Sequence, residues 1–179
     1  MELDKLKFEP FRTDTRKVDT FDCGNKSLND FLCSEEVYEY ERSRLGKTTL
    51  VFHDGALVAY YTLSNSSLRM EYLKKVKSFS KASEWHLREI PSLTIGRLAV
   101  DKRWKNRGIG ETIVQKIVAE ALDHFCHAGL RLVIVQAKKE AFGFYEKLGF
   151  QFVEETGNEL KLLRMHGTRT MFLDLHKVE

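Results

Sequence analysis

The chain has 179 residues, 42% apolar and 31% charged, which is the size and make-up of one globular domain with its own core rather than of a disordered or membrane chain. No run approaches the roughly 18 apolar residues of a spanning helix, and Met1 to Lys7 alternates charged with apolar residues where a secretory signal is continuously apolar, so a cytoplasmic protein without membrane contact is expected. The net charge of +3 suits a phosphate-bearing partner but is too small to argue for nucleic acid by itself.

Lys7 to Arg12 reads as a short extended stretch. Ser27-Leu28-Asn29-Asp30 then opens a helix, with Ser27 as N-cap, Asp30 as an acidic group in the first turn, and Leu28, Phe31, Leu32 and Tyr38 as the buried face. Thr48 to Phe52 and Ala56 to Leu63 are β-rich runs joined around Asp54-Gly55, a strong hairpin signal. Asn65 to Glu89 mixes serines, lysines and short apolar patches; a helical piece at Met70 to Val76 and a mobile connection bordering a substrate are expected there.

Leu93 to Val100 is a strand that passes into the basic turn Asp101 to Gly110. A helix follows, on which Ile113, Val114, Ile117, Val118, Ala121, Leu122 and Phe125 recur at helical period, and Gly129 ends it. His124 and His127 flank Cys126, but no second cluster completes a coordination shell and no metal is expected. With Cys23 and Cys33 this makes three cysteines without C-x-x-C spacing, which suggests free thiols. Arg131 to Val135 is a compact apolar strand, and Glu140 to Leu148 a short helix closed by Gly149. Phe150 to Val153 and Thr170 to Leu175 read as closing strands around a turn at Gly157-Asn158.

Chemistry concentrates in the turn. Lys102, Arg103, Lys105 and Arg107 surround Gly108 and Gly110 just before an amphipathic helix. Glycine lets backbone amides approach a ligand, and a helix N-terminus adds unpaired N–H donors and a positive dipole end, so a pyrophosphate finds both shape and charge. The alternative is a solvated basic turn. A Walker A loop is excluded because no Gly-Lys-Ser/Thr follows, and a dinucleotide fingerprint because Ile113 stands where the third glycine or alanine belongs.

Lys105-Asn106-Arg107-Gly108-Ile109-Gly110 resembles the coenzyme A loop of the GNAT superfamily of N-acetyltransferases, Arg/Gln-x-x-Gly-x-Gly/Ala, with Lys105 in the Arg/Gln place. The superfamily's next strand and aromatic helix have counterparts in Leu132 to Val135 and Ala141-Phe142-Gly143-Phe144-Tyr145-Glu146-Lys147-Leu148-Gly149-Phe150. The resemblance implies one N-acetyltransferase domain over residues 1–179, of mixed α/β (α+β) class, with a mostly antiparallel central sheet splayed at the coenzyme site and flanked by helices. It implies acetyl-CoA as cosubstrate, backbone groups of Leu98, Ala99 and Val100 on its pantetheine arm, and amides of Lys105, Asn106, Arg107, Gly108, Ile109 and Gly110 on its pyrophosphate. Tyr145 would be the general acid that protonates the departing thiolate after a primary amine attacks the thioester; its other reading is a core aromatic beside Phe142 and Phe144. No general base stands out. Glu89 is an acidic candidate whose alternative is an exposed loop residue.

Phe21-Asp22-Cys23-Gly24-Asn25-Lys26-Ser27-Leu28-Asn29-Asp30-Phe31-Leu32 is similar to the N-terminal signature Phe-x-Cys-Gly-x-x-x-Leu-x-x-x-Leu of acetyltransferase toxins from toxin-antitoxin systems, and Gly96-Arg97-Leu98-Ala99-Val100-Asp101 to the strand before their coenzyme loop. That resemblance implies the α-amine of an aminoacyl-tRNA as acceptor, an amine whose neighbouring ester lowers its pKa and removes the need for a base. It also implies an antitoxin partner. Lys74, Lys75, Lys77, Lys81 and Arg88 are available for tRNA phosphates or are an ordinary solvated surface. A housekeeping enzyme acting on a small amine or a protein N-terminus, a non-catalytic acyl-CoA sensor, and a homodimer stay open.

Overall fold

The Asp54-Gly55 hairpin forms as predicted, both residues taking the left-handed conformation (φ 48° and 77°) that a two-residue turn needs to match the twist of its strands. The structure, a computed structural model, describes residues 2–12, 18, 20–79, 86–124 and 129–178. Its strands are β1 (Lys7–Pro10), β2 (Lys47–His53), β3 (Ala56–Arg69), β4 (Glu89–Val100), β5 (Leu132–Lys138), β6 (Gln151–Phe152) and β7 (Thr168–Asp174). They form one sheet in the order β1-β2-β3-β4-β5-β7-β6, and β1–β2, β2–β3, β5–β7 and β6–β7 pair antiparallel. With helices α1 (Lys26–Cys33), α2 (Glu36–Arg42), α3 (Ile109–His124), α4 (Phe142–Lys147) and α5 (Gly157–His166), this is the mixed α/β, mostly antiparallel architecture that the sequence implied. The chain gathers into two compact units, residues 1–64 with 95–117 and residues 65–94 with 118–179, whose boundaries fall inside β3, β4 and α3.

In the first unit, Phe31, Leu32 and Val37 from the two N-terminal helices pack on Leu50, Phe52 and Tyr60 of the hairpin. The Tyr60 hydroxyl donates to the Leu28 carbonyl at 2.6 Å, which satisfies the one polar atom of a fully buried ring. Arg97 on β4 lies with its guanidinium 3.5 Å from the Phe31 ring centre and pairs with Glu36 at 2.9 Å, so one side chain ties the strand to both helices. α1 departs from expectation at both ends. Its N-cap is Asn25, whose side chain accepts from the Leu28 amide at 3.3 Å, and not Ser27. Asp30 therefore falls past the first turn and pairs with Lys26 at i,i+4. The helix stops at Cys33, and Tyr38 belongs to α2.

In the second unit, Leu68, Leu73, Phe79, Ile90, Leu132 and Phe172 form the core. β3 runs on to Arg69 and β4 begins at Glu89, so the difficult region starts and ends as strand; the expected helix at Met70 to Val76 is replaced by 3₁₀ turns at Met70–Leu73 and Lys77–Phe79. At the end of β3, Leu68 is buried between exposed Ser67 and Arg69, the alternation of a strand that the surrounding serines obscure. Residues 80–85 of the expected mobile connection, with Lys81, lie outside the described residues, as do Phe125, Cys126, His127 and the His124 side chain.

The turn expected at Gly157-Asn158 is instead the first turn of α5. Thr156 caps it by accepting from the Glu159 amide at 3.4 Å, and Gly167 at φ 64° closes it by donating to Leu163 at 3.0 Å. Glu159 is buried and accepts from the Thr170 amide (2.9 Å) and hydroxyl (2.7 Å), fastening the helix to β7. Asp174, buried at the end of β7, accepts from Arg131 Nε at 2.5 Å and Nη2 at 3.1 Å and from Ser78 Oγ at 2.9 Å. Burial raises the Asp174 carboxyl, but the Arg131 and Ser78 hydrogen bonds outweigh it and hold the group below the usual carboxylate range.

Candidate functional site

β4 ends at Val100, and Asp101 turns the chain out of the sheet. Its carboxylate is fully buried and accepts four hydrogen bonds: from the Asp22 amide (3.1 Å), the Arg103 amide (2.9 Å), Arg103 Nε (2.9 Å) and Arg103 Nη2 (2.8 Å). The Arg103 side chain holds the Asp101 carboxyl below its ordinary pKa. A short 3₁₀ turn, Lys102–Trp104, follows, with the Trp104 amide donating to the Asp101 carbonyl at 2.9 Å.

Asn106 (φ 59°) and Gly108 (φ 82°) then take left-handed conformations on either side of Arg107. Left-handed residues interrupting a turn are the backbone pattern in which neighbouring amides can converge on an anion. The Gly108 carbonyl accepts from the Thr112 amide (2.9 Å) and hydroxyl (3.1 Å), which starts α3 at Ile109. The first amides of a helix have no intrahelical acceptor, so Ile109, Gly110 and Glu111 extend the row of donors. Ile109 is buried and anchors this start; Leu98 and Val100 on β4 are half-buried and Ala99 is buried.

The four cations of the turn divide into two pairs. Lys102 is bound to Asp22 at 2.6 Å and Arg103 to Asp101, so their charge is compensated within the protein. Arg107 lies over the Trp104 ring at 5.0 Å and donates to the Arg103 carbonyl at 3.3 Å. Lys105 is exposed and has no ion pair among the described residues. Residues 98–100 and 105–110 belong to the first unit, and the charge available there is carried by Lys105 and Arg107.

Tyr145 belongs to the second unit. It sits on α4 at 5% exposure, in edge contact with Phe144 (4.9 Å) and Phe150 (5.3 Å). Gly149, at φ 85°, turns the chain so that the Phe150 amide returns to the Tyr145 carbonyl at 3.1 Å. Burial alone pushes the phenol above its ordinary pKa, so it stays protonated through neutral pH. Phe142 packs on Phe152 at 5.0 Å.

Glu89 is not a loop residue: it opens β4, and its carboxylate accepts from Ser67 Oγ at 2.5 Å. With Arg69, Met70, Glu71 and Arg88 it lines an open cavity of about 360 Å³. Lys75 pairs with Glu154 at 3.8 Å. Sequence reasoning gave no role to Asp22, Asn29 or Asp101. Their signal was present in two motifs, the N-terminal signature and the Asp that ends Leu98-Ala99-Val100-Asp101, but nothing in one dimension shows that the two meet.

Residues 82–166 match the family described as the acetyltransferase (GNAT) domain. A tRNA-acetylating toxin of Mycobacterium tuberculosis is 24% identical over 152 residues, covering 84% of this chain and 88% of the toxin. Among solved structures, AtaT complexed with acetyl-methionyl-tRNAfMet aligns at a TM-score of 0.78 and 24% identity over 97% of this chain and 96% of AtaT. A mutant AtaT toxin bound to the C-terminus of the antitoxin AtaR and acetyl-CoA aligns at 0.74 and 23%, over 98% and 97%.

Proposed function

We propose that this chain, over part of which the acetyltransferase (GNAT) domain family matches, is an N-acetyltransferase that passes an acetyl group from acetyl-CoA to the α-amine of an aminoacyl-tRNA. The observation that carries the coenzyme half of the reading is the loop from Lys105 to Gly110, with left-handed Asn106 and Gly108 just before α3 and a lysine that has no ion pair among the described residues. The acceptor half is supported by the tRNA-acetylating relative and by the likeness to AtaT. The reading takes residues 1–179 as one catalytic domain working in the cytoplasm, with an antitoxin as protein partner.

Bound acetyl-CoA supplies a thioester that an unprotonated amine attacks and a sulfur that leaves. The loop residues Lys105, Asn106, Arg107, Gly108, Ile109 and Gly110 bind the pyrophosphate through backbone N–H groups, and the Lys105 ammonium adds charge. Leu98, Ala99 and Val100 bind the pantetheine arm with strand backbone. Tyr145 Oη holds the proton that the departing sulfur takes; a dry aromatic surround keeps that proton in place until a thiolate develops. The α-amine beside an ester needs no protein base, and none is assigned in this reading.

The test is transfer from labelled acetyl-CoA by the purified protein, with charged tRNA, free amino acids, polyamines and peptides offered in parallel. Label on charged tRNA is the expected result. Label on a small amine or peptide alone would make the protein a housekeeping acetyltransferase, and coenzyme binding without transfer to any of them would make it a sensor.

A further inference from the structure

The N-terminal signature has a physical task. Asp22 Oδ1 accepts from the Gly24 amide and from Asn29 Nδ2, both at 2.8 Å, while Oδ2 pairs with Lys102 Nζ at 2.6 Å. Its backbone repeats the join: the Lys102 amide donates to the Asp22 carbonyl at 2.8 Å, and the Asp22 amide donates to Asp101 Oδ2. Asn29 is itself fixed on α1, where its Oδ1 accepts from the Cys23 amide and thiol, each at 3.0 Å. The Arg103 guanidinium also reaches the Thr20 carbonyl at 3.2 Å. The segment is thus bound at Thr20 and at Asp22 to the turn that leads into the loop. At Gly24 (φ 78°) an added Cβ would lie 3.8 Å from Lys105 Nζ, so the signature's glycine borders the first residue of the loop itself.

We propose that Asp22, held by Asn29 and Gly24 and paired with Lys102, is a positioning residue that sets the loop for the coenzyme pyrophosphate; this rests on the acetyl-CoA reading of the loop. The sign of the electrostatics separates positioning from direct contact. A carboxylate beside a polyanion site weakens binding by charge alone, so what Asp22 contributes to affinity is geometric. Replacing it with the neutral isostere Asn would tighten coenzyme binding if Lys102 were a phosphate ligand that Asp22 merely masks. It weakens binding if the pair holds the backbone in register.

Calorimetric titration with acetyl-CoA decides between them, using wild type, Asp22→Asn, Lys102→Met, the double variant and Asn29→Ala, with melting curves alongside. Misplacing a binding loop is a large effect, and Asp22→Asn and Lys102→Met are each expected to bind about tenfold more weakly, with Asn29→Ala weaker by a smaller factor. The double variant matches the weaker single, because the two side chains act as one unit. In steady state the KM for acetyl-CoA rises while kcat at saturating coenzyme stays within about twofold. Equal or tighter binding by Asp22→Asn overturns the clasp, as do Asp22→Asn and Lys102→Met effects that multiply in the double variant. Should Asp22→Asn fail to fold, Asn29→Ala decides: it leaves the Lys102 pair and the Asp101 network in place, and wild-type affinity in that variant overturns the proposal. Wild-type protein that takes up no acetyl-CoA overturns the acetyltransferase reading itself, whereas a wild type that binds, matched by variants that bind equally, removes the clasp alone.

Discussion

The loop after β4 and the α4 segment around Tyr145 are built by opposite means. The loop is fixed by charge: two buried or half-buried carboxylates, Asp22 and Asp101, collect hydrogen bonds from backbone amides and from the two cations that flank it. Tyr145 is fixed by apolar packing against Phe144 and Phe150, with burial as the sole perturbation of its phenol. The difference follows from what each must do. An anion cradle depends on where N–H groups point, and charge-assisted hydrogen bonds, shorter and stronger than neutral ones, hold the backbone in one orientation. A proton donor depends on keeping a neutral O–H in dry surroundings, which aromatic rings supply and charges would spoil.

The largest effect that would break this comparison is on chemistry. Tyr145→Phe keeps the ring in its aromatic contacts and removes only the hydroxyl, so kcat is expected to fall about 10²–10³-fold while calorimetric affinity for acetyl-CoA is unchanged. Full activity in this variant would return Tyr145 to the core. Next comes a site remote in sequence from both regions. Asp174→Asn leaves Arg131 with a neutral partner at a buried position, and urea unfolding is expected to show a loss of about 3 kcal/mol. Because the folded-state Asp174 pKa lies below that of an unfolded carboxylate, its contribution is complete above pH of about 4 and is lost as pH falls through the folded value. The acid limb of stability should therefore be shallower in the variant. A variant with wild-type stability and an unchanged acid limb would deny the pair any net role.

A smaller effect sharpens the account of the loop. Gly108→Ala places a Cβ at φ 82°, at a cost of roughly 1–2 kcal/mol, and 3.2 Å from Leu3 Cδ1, a flexible side-chain end that can yield. If amide direction is what binds pyrophosphate, acetyl-CoA affinity falls by about tenfold or more. A loss of stability with unchanged affinity would mean that the cradle does not depend on this residue's conformation.

Much of this was legible in one dimension, where local chemistry decides. The Asp54-Gly55 hairpin, the helix after Gly108 and the strand before it each carry a turn residue or a periodic apolar face, and the loop and aromatic motifs sit where the sequence put them. What escaped depends on long-range pairing. Asp22 and Asp101 are 79 residues apart, and neither carboxylate has a visible purpose until the two segments meet. The two neutralised cations were counted as available for the same reason. In Met70 to Val76, short apolar patches among lysines form only a 3₁₀ turn where a longer helical piece is expected, and serines hide the alternation of the preceding strand.

The last miss, α5, had a local signal that competed with another. Gly157-Asn158 is turn chemistry, yet Thr156 and Glu159 stand in the Thr-x-x-Glu spacing of a capping box and Gly167 stands at the far end as a left-handed cap. The carboxylate does not close the box by reaching back to the cap: it is buried and bound to Thr170 instead. The cap therefore rests on the Thr156 hydroxyl, at a long 3.4 Å, and Thr156→Ala is expected to cost about 1 kcal/mol. Glu159→Gln probes the other half of the arrangement. It keeps an acceptor for one Thr170 bond but replaces the second carboxylate oxygen with a donor, facing a backbone N–H or a hydroxyl that must turn away. Its loss should exceed that of Thr156→Ala in urea unfolding. The reverse order would mean that the helix is held by its cap rather than by its bond to β7.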